Sequence, residues 1–126
     1  MRNLIISILM VIVLVVVNIA IANYLGEQTK YFEETADEII ALIDAEEYVQ
    51  ASEMLKEYMQ SWDEGEAHYK SISGHEVVED IGANLMRAQT HLEREDAIHA
   101  IAELKHAVHD MKHIYDSEKV VSGNIF

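Results

Sequence analysis

The chain has 126 residues, of which 23 are acidic and nine are basic, so its formal net charge is −14 with neutral histidines. A polyanion of this density repels nucleic-acid backbones and anionic lipid headgroups. The charge therefore argues against nucleic-acid binding and against a basic membrane-surface protein. The absence of cysteine excludes disulfides and thiol chemistry, and the absence of proline together with only five glycines favours long helices.

The first 25 residues predict a transmembrane signal-anchor helix. The stretch from Leu4 to Ala22 contains only two polar residues, and as a helix it is about 28 Å long, close to the ~30 Å hydrocarbon thickness of a bilayer. Arg2 is the only charged side chain before Glu27, so the positive-inside rule places the N-terminus in the cytoplasm. We therefore expect a single-pass protein of the cell membrane whose remaining residues are extracytoplasmic.

A cleaved signal peptide is the alternative interpretation of this segment. Ala20-Ile21-Ala22 fits the small-x-small cleavage pattern, and cleavage after Ala22 would release a secreted chain that begins at Asn23. An apolar stretch of nineteen residues exceeds the usual 7 to 15 residues of a signal-peptide core, which favours the retained anchor. Both interpretations place the rest of the chain on the same side of the membrane.

Residues 26–126 predict an acidic helical bundle. Their apolar residues recur at spacings of three and four, which is typical of helices that pack on other helices, and strand-like alternation is lacking. The predicted helices cover about residues 25–44, 46–70, 74–94 and 97–116. We therefore predict an all-α fold, with one N-terminal transmembrane helix followed by a small antiparallel bundle of about four helices. We find no internal repeat, and expect no second span.

Specific positions follow from the same pattern. Ser73 and Glu76 are predicted to form a capping box before the third helix, and Asp44 and Asp96 to cap the second and fourth. Gly65 is expected to lie within the second helix at a cost of about 1 kcal/mol relative to alanine, or else to mark an end or a kink of that helix. The predicted core positions of the first helix are Leu25, Phe32, Thr35, Ile39 and Leu42, with Ala36, Ile40 and Ile43 beside them. Those of the fourth are Ile98, Ile101, Leu104, Val108, Met111 and Tyr115.

Short motifs along the chain resemble a known protein family. They are Asn23-Tyr24-Leu25, Glu46-Glu47-Tyr48, Trp62, His75-Glu76 with Ile81, Ala102-Glu103-Leu104-Lys105 and Asn124-Ile125. In these motifs the chain resembles the bacterial family catalogued as domain of unknown function 4363, common in endospore-forming Firmicutes. The resemblance implies a small membrane-anchored helical protein with no known activity, and a genomic association with multi-span membrane proteins. It carries over no functional residues.

A polar stripe on the fourth helix is a candidate metal site. Its spacing of four, three, four and three residues places the side chains on one helix face, and a histidine with a carboxylate four residues later can chelate a divalent transition metal. The stripe consists of His99, Glu103, His106, Asp110 and His113. The simpler interpretation, which we favour, is a solvated face, and we expect no cofactor.

The histidines are distributed unevenly along the chain. Residues 27–66 carry a net charge of −11, whereas all seven histidines lie after residue 66, in a half whose charge would change from −4 to about +3 on their protonation. An unperturbed histidine titrates near pH 6.5, so we expect the two halves to dock more firmly at pH ~5.5 than at pH 8.

No arrangement of residues predicts catalysis, a nucleic-acid ligand or a small-molecule ligand. Adjacent carboxylates point apart on a helix, and the serines lack the context of a nucleophile. The aromatic stripe of Tyr48, Tyr58, Trp62 and Tyr69 is typical of a core rather than a ligand groove. We therefore expect a non-enzymatic interaction or accessory module for an integral-membrane partner, with divalent-metal binding as the alternative. Asn18, the aromatic stripe and the tail from Val120 to Phe126 are candidate docking residues.

Overall fold

The chain folds into four α-helices in a computed structural model that describes residues 1–125 and the side chains of residues 1–119. The helices are α1 (Arg2–Asp44), α2 (Tyr48–Ser73), α3 (His75–Glu93) and α4 (Ala97–Ile125). Each helix packs against the next, and α1 also packs against α4, so the four close into an antiparallel bundle. No strand occurs in residues 1–125, which confirms the predicted all-α fold.

Helix α1 contains both the apolar N-terminal stretch and the first helix of the bundle. It runs for 43 residues, about 64 Å, without a break at the predicted boundary near residue 25. The apolar part is unburied, and α1 is the one described helix that is long and apolar enough to cross a membrane. Beyond it, one face of α1 enters the core through Leu25, Thr29, Phe32, Ala36, Ile39 and Ile43.

Stacked aromatic rings fill the part of the core between α1 and α2. The ring centroids of Phe32 and Tyr58 are 4.4 Å apart, and those of Trp62 and Tyr69 are 4.8 Å apart. Tyr58, Trp62 and Tyr69 are buried, so they belong to the core as predicted and are not a docking surface. Burial raises the pKa of both tyrosines, which therefore stay neutral.

The predicted core face of α4 is partly wrong. Leu104 and Met111 are buried as expected, but Ile98 is 80 % exposed. The other buried positions of the helix are Ala100, Ala107 and Ile114. The small side chain of alanine lets α4 approach its neighbours closely. Because alanine contributes little to a hydrophobic pattern, larger apolar residues beside the buried face dominated the periodicity of α4. In α1, Ala36 and Ile43 are buried as predicted, whereas Thr35 and Leu42 are only partly buried.

Two of the predicted caps are also wrong. Ser73 is the last residue of α2, and its Oγ is buried without a hydrogen-bond partner, because a single residue, Gly74 at φ 84°, separates α2 from α3. Asp44 is the last residue of α1 rather than a cap of α2. Gly65 lies inside α2, where it neither ends nor interrupts the helix.

The two turns at the far end of the bundle have the same backbone geometry. After α1, the Glu47 N–H donates to the Leu42 carbonyl and the Glu46 N–H to that of Ile43. After α3, Asp96 and Glu95 donate in the same way to His91 and Leu92, respectively. Both are Schellman motifs, in which the second residue after the helix adopts a left-handed conformation. Glutamate holds that position in both, with φ 60° at Glu46 and 54° at Glu95.

These glutamates are 49 positions apart, and the same offset relates the two halves of the bundle. Adding 49 to five of the six buried positions of α1, which are 29, 32, 36, 39 and 43, gives five of the seven buried positions of α3, which are 78, 81, 85, 88 and 92. The buried positions 51, 55, 58 and 62 of α2 likewise correspond to 100, 104, 107 and 111 of α4. The bundle is therefore built from two helical hairpins in the same register, a repeat that the sequence analysis did not find.

The shared turn geometry predicts the effect of glycine at each turn. A left-handed conformation costs a residue with a Cβ about 1–2 kcal/mol, part of which is offset by the greater freedom of glycine in the unfolded chain. We expect Glu46→Gly and Glu95→Gly each to raise the free energy of unfolding by about 1 kcal/mol in denaturant titrations of the detergent-solubilised full chain. Glu57→Gly, at an exposed position inside α2, is the control and should lower it by about 1 kcal/mol. Destabilisation by all three substitutions would contradict the turn geometry.

Candidate functional site

The polar face of α4 is arranged around two carboxylates rather than one centre. At the start of the helix, the backbone N–H of His99 donates to Asp96 Oδ1 at 3.3 Å, which confirms the predicted cap of α4. The ring Nδ1 of His99 lies 2.7 Å from Asp96 Oδ2, and Nδ1 of His91 lies 3.8 Å from the same oxygen. Two imidazoles therefore share one carboxylate.

The rings of His91 and His99 also stack on each other, with centroids 5.2 Å apart. Hydrogen bonds from His99, with smaller contributions from the nearby charge of both imidazoles, hold the pKa of Asp96 below its usual range. This group sits at the turn that joins α3 to α4. Spacing along α4 places His99 in a stripe but does not reveal its partner on α3, because only the fold brings His91 beside it.

The second carboxylate belongs to a network between α3 and α4. Asn84 is buried, accepts a hydrogen bond from Arg87, and donates to Asp110 Oδ2 at 3.4 Å. Arg87 Nε in turn pairs with Glu103 Oε2 at 3.2 Å, and His106 Nε2 is 3.7 Å from Asp110 Oδ2. A buried amide with charged partners on both sides ties the two helices together.

The five residues of the predicted metal stripe are thus divided among different partners. His99 pairs with Asp96, Glu103 with Arg87, and His106 with Asp110, while the His113 side chain is exposed. Within residues 1–125, no group of three or more histidine, cysteine or acidic side chains is arranged to hold a metal ion. Metal binding by the stripe stays a prediction, and titration calorimetry with zinc and nickel would reject it if binding is weaker than about millimolar, since ordinary surface histidines bind that weakly.

The predicted attraction between the two charged halves has one clear contact. Lys112 on α4 donates to Glu33 on α1 at 2.7 Å, and this hydrogen bond raises the pKa of Lys112. The histidine pairs found in the described part of the chain instead join His91, His99 and His106 to aspartates of their own half. The pH dependence of docking stays a prediction, and those pairs do not supply its mechanism.

Two surface recesses accompany these polar groups. One, of about 420 Å³, lies between α2 and α3 and is lined by Trp62, Gly82 and Arg87 among others; the indole N–H of Trp62 is buried there without a partner. The other, of about 470 Å³, lies between α1 and the last turns of α2. It is lined by Val17, Ala20, Ile21, Tyr24, His68, Ser71 and Ile72, which combine the apolar stretch with polar residues of the bundle.

Fold and surface together define a class, the small acidic four-helix bundles in which an apolar N-terminal helix continues into the core. Comparison with protein families gives a match. Residues 19–125 match the model of a domain of unknown function (DUF4363), and the chain belongs to that family. No curated protein and no solved structure matches the chain.

The Asp96 cluster predicts a pH-dependent loss of stability on substitution. Because the folded-state pKa of Asp96 is lowered, its ionised carboxylate stabilises the fold above the unfolded pKa near 3.9, and this contribution is lost as the pH falls through the folded value. We expect Asp96→Ala to lower the melting temperature of the full chain at pH 7, and to lower it less at pH 2.5. Asp96→Asn keeps an acceptor for the cap and should retain more stability than Asp96→Ala. An Asp96→Ala deficit that is the same at both pH values would contradict the role of the charge.

Proposed function

We propose that the protein is a membrane-anchored, extracytoplasmic interaction module that presents its acidic bundle to an integral-membrane partner. The observation that carries this proposal is the continuity of α1. The apolar stretch and the core-facing stripe lie on one helix, with Leu25 fully buried only three residues after the end of the apolar stretch at Ala22. A flexible linker would let the bundle drift, whereas a continuous helix holds it at a defined height above the membrane.

Retention of the segment as an anchor, rather than its cleavage, is supported by the packing of its outer end. Ile21 and Tyr24 pack against the buried core, so cleavage after Ala22 would remove a side chain that the bundle covers. The first helix would then begin within one turn of the buried Leu25, where terminal fraying is strongest. The proposed topology has the N-terminus in the cytoplasm and the bundle outside.

The surface proposed to meet the partner is the distal tip, which we define as the two Schellman turns and the first turns of α2 and α4. Val49 is 74 % exposed and Ile98 is 80 % exposed, and the 49-residue offset makes them equivalent positions of the two hairpins. Acidic residues surround both. They are Asp44, Glu46 and Glu47 in the first turn, and Glu93, Glu95 and Asp96 in the second, which also contains Arg94 and is flanked by His91 and His99.

This composition defines the partner's chemistry. A pair of apolar side chains within a ring of negative charge fits a basic segment that carries its own apolar residues, because opposite charges steer the encounter and the apolar contacts hold it. From Ala22 to Asp44 the helix rises about 33 Å, so the partner needs an extracytoplasmic part that reaches this height. The proposal includes no catalytic activity.

Photo-crosslinking in native membranes tests this proposal. A photoreactive residue at Val49 or Ile98 of the full chain should give one discrete adduct with a membrane protein. Lys56 and Lys105 are the matched controls, because they are exposed and are also related by the 49-residue offset. We expect them to give little of this adduct. Adducts of equal yield from all four positions, or from none, would contradict docking through the tip.

Labelling in intact cells tests the topology on which docking depends. The chain has no cysteine, so Val49→Cys introduces a single thiol at a well exposed position. We expect a membrane-impermeant maleimide to label it without lysis, and alkaline carbonate to leave the protein in the membrane. Labelling only after lysis would place the bundle in the cytoplasm and contradict the proposed topology.

A further inference from the structure

We propose that the membrane-proximal end of the bundle, formed by the last turn of α2 and the Gly74 turn, is a lipid-contacting surface seated in the headgroup layer of the outer leaflet. This inference rests on the proposed anchoring of α1. It concerns the depth of the bundle relative to the bilayer. If the span and the bundle were separate units joined near residue 25, the structure would not define this depth.

The end of α2 overlaps the apolar stretch of α1. Helix α2 runs back along α1, and the Tyr69 hydroxyl donates to Gln28 at 3.3 Å, while the rings of Tyr69 and Tyr24 are 6.1 Å apart. One turn further on, Ser71 and Ile72 line the same recess as Val17 and Ile21. The end of α2 therefore lies beside the outer part of the apolar stretch, not above it.

The length of the apolar stretch limits how far the bundle can stand from the bilayer. From Val17 to Ala22 the helix rises about 8 Å, whereas the whole stretch from Leu4 is about 28 Å long against a hydrocarbon core of ~30 Å. If the bundle stood clear of the bilayer, the apolar stretch would have to leave it by those 8 Å, and only about 20 Å would remain to span it. If the whole stretch from Leu4 to Ala22 lies within the bilayer instead, the end of α2 reaches the headgroup layer.

The charge of this end of the bundle also favours contact with lipid. A chain with 23 acidic residues should avoid a bilayer surface, yet residues 67–75 contain no Asp or Glu. The segment provides His68 and His75 along with serines, which suit the headgroup layer. It also provides Lys70, whose Nζ lies 3.0 Å from Glu66 and 3.8 Å from Glu79 and offsets the charge of these neighbours. Tyr24 lies at the same level on α1, where an aromatic residue is typical of the interface.

Helix α4 repeats the same feature. Its Tyr115 ring lies against Gly26, 3.3 Å from where a Cβ would stand, and the helix continues for ten residues beyond it, about 15 Å towards the apolar end of α1. Residues 119–126 also lack Asp and Glu, and Lys119, Ser122 and Gly123 correspond at the 49-residue offset to Lys70, Ser73 and Gly74. Both hairpins thus end towards the membrane in an uncharged or basic segment.

Fluorescence quenching by nitroxide-labelled phospholipids tests the proposal on the full chain in lipid vesicles. Ser71 is exposed in the bundle and close to cysteine in size, so Ser71→Cys carries the fluorophore with little disturbance, and His75→Cys is a second variant at the same end. Val49→Cys at the distal tip is the control for solvent, and Leu14→Cys within the apolar stretch is the control for insertion.

We expect a headgroup nitroxide to quench the labels at Ser71 and His75 several-fold more than the label at Val49, and an acyl-chain nitroxide to quench the label at Leu14. Quenching at Leu14 with no more quenching at Ser71 and His75 than at Val49 would overturn this inference and leave the anchor intact. Absence of quenching at Leu14 would overturn the anchor and this inference together.

Discussion

The whole structure depends on the continuity of one helix. Leu25, Phe32, Ile39 and Ile43 pack α1 into the core, and the same helix begins as an exposed apolar stretch. Burying each of these large side chains contributes about 1.5–3 kcal/mol, so separating α1 from the bundle would remove a quarter of the core stripes at once. The part of α1 that follows the apolar stretch is therefore needed for a stable bundle, and the proposed anchorage uses its helical continuity with that stretch.

The repeat of one helical hairpin at the 49-residue offset explains why the two ends of the molecule differ in chemistry. Each hairpin places a Schellman turn with a left-handed glutamate at the distal end and a segment free of acidic residues at the other. Pairing two such hairpins side by side doubles both features. The result is a molecule with an acidic tip that carries Val49 and Ile98, and an opposite end whose helix termini lack acidic residues.

The helical periodicity of the sequence predicted the all-α bundle and the aromatic core, because period and length are strong signals for long helices. It predicted only part of the buried face of α4, since Ala100 and Ala107 carry little hydrophobic signal although they are buried. Ser73 was mistaken for a cap because the left-handed Gly74 turn leaves no room for one, and the shared turn geometry of Glu46 and Glu95 became visible only with backbone angles. His91 beside His99, and Arg87 beside Glu103, are contacts between helices that spacing along one helix does not reveal.

The distance between spin labels at Leu14 and Glu34 in lipid bilayers tests the continuity of α1 most directly, since both positions are exposed and the chain has no native cysteine. Twenty residues of unbroken α-helix rise about 30 Å. The account predicts a single narrow distribution near that length, slightly broadened by the label side chains. A broad distribution, or one centred at a clearly shorter distance, would show a hinge between the apolar stretch and the bundle, and would contradict a rigidly mounted module.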